Sequence, residues 1–160
     1  MPEVKKLREL IIPLTDYPHM PHWATLEEAM VLLNFAYETG HDTVLVFDEF
    51  YKLMGVLNQR EILRGVQPKF VEISLEGVPV EREDLMTTAN PGQLKKPIRD
   101  FMFPFDIIVD IEDHILKVAD LMLQHNISLL PVTESGKVIG VVRMHDIFHE
   151  ITGFIIKSKK

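Results

Sequence analysis

VLVFDEFYKLMGVLNQREILRGV, residues 44–66, decides the reading of this chain, because its pattern occurs twice. A shift of 85 residues lays it without a gap on LLPVTESGKVIGVVRMHDIFHEI, residues 129–151. Glu49, Lys52, Gly55, Val56 and Ile62 meet identical residues at Glu134, Lys137, Gly140, Val141 and Ile147. Leu53, Met54, Leu57 and Leu63 meet Val138, Ile139, Val142 and Phe148, and Glu61 meets Asp146. A repeated supersecondary unit signals that each copy cannot bury its own apolar face alone.

The unit reads as a hairpin followed by a helix. Thr43–Phe47 and Ser128–Val132 are short, rich in Val and Leu, and predict buried strands. Asp48–Tyr51 and Thr133–Gly136 are turns, with Gly136 suited to positive φ and Tyr51 requiring a different turn. Leu53–Leu57 and Val138–Val142 return as the second strands, each with an internal glycine, Gly55 or Gly140. Such a glycine marks either the close approach of a backbone or ligand, or packing against a helix. Amphipathic helices follow at Gln59–Gly65 and Met144–Ile151.

Working outward, a helix precedes each hairpin. Ile115, Val118, Ala119 and Met122 share one face of a helix over His114–Gln124, and Leu26, Ala29, Met30 and Leu33 do the same in the first copy. Thr25 with Glu28 has capping-box spacing. Before these helices lie an apolar extended stretch, Phe105–Val109, and a proline-bearing one within Pro18–Ala24. The order is β–α–β–β–α, twice, which predicts an α+β fold with a first repeat over 1–66, a connection over 67–96 and a second repeat over 97–160. Within the connection, Phe70–Leu75 reads as an extra strand and Arg82–Thr87 as a helical turn.

Composition limits the function. A net charge of −7 is the wrong sign for a general nucleic-acid binder. The absence of cysteine excludes disulfides, thiolate metal sites and cysteine nucleophiles. No apolar run is long enough to span a membrane, and Met1–Glu9 lacks the apolar core of a secretory signal, so a cytoplasmic protein is expected.

These residues resemble the CBS-domain family. IRDFM (98–102) is similar to that family's lead-in, HILKVADLMLQHNISLLPV (114–132) to its helix–turn–strand core, and GKVIGVVRMHDIF (136–148) to its hairpin and closing helix. In the first repeat KLMGVLNQREIL (52–63) keeps the hairpin and helix. The resemblance implies a Bateman-type pair of βαββα repeats packed with pseudo-two-fold symmetry, which forms a homodimer and regulates a partner protein. It implies clefts that take AMP, ADP, ATP or S-adenosylmethionine, with no cofactor required and no catalysis.

It also nominates residues. The family grips ribose with an aspartate at the start of the closing helix, and a Thr or Ser lies three residues before it. Asp146 matches the aspartate, while Arg143 replaces the hydroxyl. In the first repeat Glu61 and Asn58 depart at both positions. A carboxylate accepts hydrogen bonds from two vicinal hydroxyls, but Asp146 also suits a capping role. Arg143 suits a phosphate, or an acidic neighbour. Ile107, Val109, Ser128, Leu130 and Pro131, with Thr43 and Leu45 in the first repeat, would supply backbone contacts and the base pocket.

Other groupings point less sharply. His145 and His149 have the i, i+4 spacing of metal ligands without the HExxH glutamate, and no metal site is expected. His19 and His22 sit in a proline-stiffened loop in which Trp23 is expected to be a packed anchor. No P-loop or GxSxG motif occurs, and no serine has an evident base, so an enzyme is not expected. The alternative to a nucleotide-binding regulator is a ligand-free dimerisation or docking module.

Overall fold

The computed structural model describes residues 3–66 and 91–159. Its strands are β1 (Ile12–Pro13), β2 (His19–Pro21), β3 (Thr43–Phe47), β4 (Leu53–Asn58), β5 (Phe103–Pro104), β6 (Val109–Asp110), β7 (Leu129–Glu134) and β8 (Lys137–Arg143). Its α-helices are α1 (Leu26–Phe35), α2 (Gln59–Val66), α3 (Pro91–Leu94), α4 (Ile115–His125) and α5 (Met144–Ser158). The strand expected at 70–75 and the turn at 82–87 lie outside the described residues.

The strands form two four-stranded sheets of the same design. One has the order β1-β8-β7-β6 and the other β5-β4-β3-β2. In each, a hairpin is flanked by a parallel strand on one side and a two-residue antiparallel strand on the other. Both short strands end in proline, Pro13 and Pro104, which lacks the N–H a further strand would need. These edge contacts explain the strand glycines. Pro13 pairs with Gly140 and Pro104 with Gly55. A Cβ at Gly140 would lie 2.3 Å from the Ile12 carbonyl oxygen, and one at Gly55 would lie 2.4 Å from that of Phe103. Of the two explanations for these glycines, close backbone approach is the correct one.

The compact units do not follow the sequence order of the repeats. One comprises Pro18–Asp106, and the other joins Met1–Tyr17 to Ile107–Lys160. Each repeat therefore takes its short edge strand from the other side of the repeat boundary. The expected strand Phe105–Val109 is split for this reason. Phe105 N–H still donates to the Met54 carbonyl at 3.3 Å, whereas regular pairing with β7 begins only at Val109, opposite Val132.

In the Pro18–Asp106 unit, Leu26, Ala29 and Leu33 of α1 pack with Val44, Val46, Leu57, Ile62, Val66 and Ile98. Thr25 caps α1, its hydroxyl accepting from Glu28 N–H at 3.1 Å while the Glu28 carboxylate reaches back to Thr25 N–H at 3.5 Å. In the other unit Ile115, Val118 and Met122 of α4 are buried, as are Val109, Leu130, Val132, Val141, Val142 and Ile147. The entry to α4 is held differently. Asp113 accepts from Asp110 N–H at 2.9 Å and pairs with Lys117 at 3.1 Å, and His114 Nδ1 accepts from Leu116 N–H. The Asp110 N–H is the largest influence holding the Asp113 carboxyl below the usual range; Lys117 adds to it, and partial burial opposes both.

The two hairpin turns diverge as Tyr51 requires. Ser135 and Gly136 both have positive φ, 53° and 80°, and link Glu134 to Lys137 in a tight primed turn. In the first repeat the Asp48 carboxylate accepts from Phe50 and Lys52 N–H at 2.8 and 2.9 Å, and Tyr51 itself adopts φ 63°. Its ring stacks on Phe47, with centroids 5.3 Å apart.

Two expectations are corrected. The closing helix does not stop at Ile151 but reaches Ser158, continuing through Gly153, where a Cβ would meet only open space, with the Thr152 and Ser158 hydroxyls bonded to the Phe148 and Phe154 carbonyls. Trp23 is not a packed anchor. It is 54% exposed, with its ring edge-on to His22 at 5.1 Å, and the neighbouring Ala24 takes the buried position.

Candidate functional site

Each hairpin delivers its chain directly into a helix, so the candidate residues collect at the entrances to α5 and α2. At the α5 entrance, Met144 N–H donates to the Ser128 carbonyl at 2.8 Å, and Leu129 stands opposite Arg143 in the ladder. Ser128, Arg143 and Asp146 are thereby brought to one end of the β7–β8 hairpin. Leu130 and Pro131 sit opposite Val142 and Val141, and Val109 opposite Val132. These three are buried, so their side chains belong to the core, whereas Ile107 is half-buried ahead of β6.

Arg143 occupies the N-cap position of α5 without making a side-chain cap. Its guanidinium instead grips Asp146. Nε donates to Oδ2 at 2.9 Å and Nη2 to Oδ1 at 3.2 Å, so both carboxylate oxygens are engaged. The side chains are 35% and 26% exposed, which leaves the pair open to solvent on one side. Of the two roles open to each residue, the structure has Arg143 on an acidic neighbour and Asp146 held by that side chain.

The α2 entrance uses the same backbone differently. Thr43 pairs with Asn58 across β3 and β4, and Leu45 is fully buried opposite Val56. Asn58 caps α2, its Oδ1 accepting from Glu61 N–H at 3.0 Å. Glu61 pairs with Arg64, one turn further into the helix, at 3.1 Å.

A third grouping went unnoticed in the sequence. At the carboxyl ends of β2 and β3, Arg99 Nη1 lies 3.0 Å from His22 Nδ1, and His22 Nε2 lies 3.3 Å from Glu49 Oε2. Arg99 is far from His22 in sequence and has no periodic signal. His145 and His149 are exposed on α5, and no group of three or more His, Asp or Glu able to hold a metal ion occurs among the described residues. No helix among them is long and apolar enough to cross a membrane.

Comparison with known proteins relates one part of the sequence to a family and the architecture to a fold. The CBS domain family model matches residues 98–153. No curated protein matches the sequence. Among solved structures, CBSX2 in complex with AMP superposes with a TM-score of 0.63 at 19% identity, over 95% of this chain and 98% of that one. The cytosolic domain of the Mg2+ channel MgtE in complex with ATP gives 0.61 at 22% identity over 87% of this chain, which spans 46% of that one. A CBS domain pair/ACT domain protein from Thermotoga maritima gives 0.63 at 18% identity, over 94% and 99%. At these identities the likeness speaks for fold. Residues 98–153 match as a CBS domain and the doubled hairpin–helix design extends over the described chain, so residues 98–153 form a CBS domain and the chain has the fold of a CBS-domain pair.

Proposed function

We propose that this chain is a non-catalytic regulatory module that binds an adenine nucleotide, or a related adenosyl metabolite, at the α5 entrance and signals to a partner chain. The observation that carries the reading is the position of Asp146. Its carboxylate stands in the first turn of α5, beside Ser128 and the end of a hairpin, and remains partly open to solvent. A carboxylate there can accept both hydroxyls of a ribose, while free N–H groups of the first turn favour a phosphate. That solved proteins of this fold include complexes with AMP and ATP supports the choice of ligand class. Glu61 is the poorer candidate, because its side chain is longer by a methylene and only 12% exposed, against 26% for Asp146. Ligand acts by favouring one conformation of the pair, and only to the extent that its affinity differs between conformations.

Thermal unfolding with AMP, ADP, ATP or S-adenosylmethionine at about 1 mM tests this. A ligand with Kd near 10 μM stabilises by about 2.7 kcal/mol, a rise in Tm of roughly 5–10 °C for a chain of this size. The rise is expected to vanish in Asp146→Ala and to persist in Glu61→Ala. Nucleotide turnover by the purified protein would contradict the non-catalytic part.

A second reading, a dimerisation or docking module that binds no ligand, is favoured by one feature. Phe148, Ile155 and Ile156 form an exposed stripe along α5, with Phe148 66% and Ile156 63% exposed. Apolar surface of this kind suits contact with another chain or a second copy of this one. Absence of any nucleotide shift, together with a dimer in light scattering that Phe148→Glu dissociates, would favour it.

A further inference from the structure

We propose that Arg143 is a latch on Asp146 that makes the α5 entrance select phosphorylated adenosine ligands over adenosine itself; the inference rests on the nucleotide reading above. A vicinal diol needs the two carboxylate oxygens of Asp146, and Arg143 holds both. The guanidinium fork fills one lone pair on each oxygen, so a ribose diol must compete with it for the same carboxylate. Leaving is easy in two respects. The pair is partly solvated, so its strength is modest. Arg143 also makes no side-chain cap, so its movement uncaps nothing.

The consequence is one of charge. Once the diol takes the carboxylate, the guanidinium is left as a cation without its counter-ion at the same helix entrance. A phosphate arriving with the ribose supplies a new one, in the bidentate geometry that the guanidinium fork matches. The first-turn N–H groups of α5 act in the same direction. Adenosine brings no anion to the entrance, whereas a nucleotide brings its phosphate with the ribose. Displacing the latch is thus compensated only by a ligand that is both a diol and an anion. The α2 entrance has no such device, because Arg64 lies deeper in the helix and contacts one oxygen of Glu61.

The test is calorimetric titration of the full chain with AMP and with adenosine, in wild type, Arg143→Thr, Arg143→Lys and Asp146→Ala, each checked for folding by thermal melting. Wild type is expected to bind AMP at least ~10-fold more tightly than adenosine, as charge-assisted bonds to one phosphate imply. In Arg143→Thr the preference is expected to collapse to within about 3-fold, with adenosine binding about 3-fold more tightly than in wild type because nothing competes for Asp146. A merely structural role for Arg143 would not improve adenosine binding. Arg143→Lys, which keeps the charge without the fork, is expected to fall between the two and serves if the threonine variant does not fold. An AMP:adenosine ratio unchanged in the folded Arg143 variants, with both ligands lost in Asp146→Ala, would overturn the latch and leave the nucleotide site standing. Failure of every form to bind either ligand would overturn the site and the latch together.

Discussion

The α2 and α5 entrances are the same construction used twice, and they differ in where the arginine stands. In the first repeat an uncharged Asn58 occupies the N-cap and does the capping, while Arg64 holds Glu61 from inside the helix. In the second, the arginine occupies the N-cap itself and holds Asp146 from outside. The first arrangement is complete within its own helix. The second leaves the first turn without a side-chain cap and commits a cation to a carboxylate that other groups can claim. The scaffold is thus the same in both repeats while the bonding differs: Asn58 caps one entrance, and an arginine–aspartate pair stands at the other.

Substitutions in the two repeats put this contrast to the test. The largest effects should be equal in the two repeats, because they strike the shared scaffold. Leu45 and Leu130 occupy equivalent positions and are both fully buried, so each change to alanine is expected to cost about 2–5 kcal/mol in denaturant unfolding. Markedly unequal losses would mean that the two hairpins are not equivalent supports. Gly55→Ala and Gly140→Ala come next, each expected to cost roughly 1–3 kcal/mol because the new Cβ meets a backbone carbonyl that cannot step aside. Tolerance of either would show that its edge strand is dispensable.

The divergent positions should respond unequally. Asn58→Ala is expected to lose about 1 kcal/mol with its cap, and Arg143→Ala less than about 0.5 kcal/mol, since no cap is lost and the pair is partly solvated. Equal losses would contradict the contrast drawn above. At the turns, Gly136→Ala is expected to cost about 1 kcal/mol through its positive φ. Tyr51→Gly should be near neutral, because relief of about 1 kcal/mol of left-handed strain offsets the lost stacking on Phe47. The smallest effect concerns the α4 entry. The Asp113 carboxyl is held below its ordinary range, so its contribution is present above the unfolded-state value near 3.8 and is lost as pH falls through the folded-state value. Asp113→Asn is therefore expected to destabilise by under about 1 kcal/mol at neutral pH and to match wild type in strong acid. A deficit that persists in acid would remove the carboxylate from the account.

The hairpins, their following helices, and the apolar faces of α1 and α4 were legible because they are periodic and occur twice. Gly55 and Gly140 left two explanations open, close approach of a backbone or ligand and packing against a helix, and the sequence did not choose between them. The partner strands, Ile12–Pro13 and Phe103–Pro104, are two residues long and distant in sequence from the strands they meet, so no local pattern marks them. The end of α5 was placed too early, at Ile151, whereas the helix runs through Gly153, around which the space is open, to Ser158. At the candidate site the residues were legible and their mutual geometry was not. Arg143 and Asp146 stand three apart on paper whether they face each other or a ligand, and only the observed rotamers distinguish these.

The exchanged edge strands bear on how this chain acquires its structure during synthesis. The Pro18–Asp106 unit is continuous, so all of its strands have been made once Pro104 has left the ribosome. Ile12 and Pro13 are made before any of it, yet their partner β8 is made last but for α5. Cotranslational folding can complete the Pro18–Asp106 unit while the first strand waits unpaired, and the waiting strand is short and ends in proline, both properties that discourage pairing with other nascent chains. A fragment beginning at residue 18 would retain that early unit and release β8 with a bare edge.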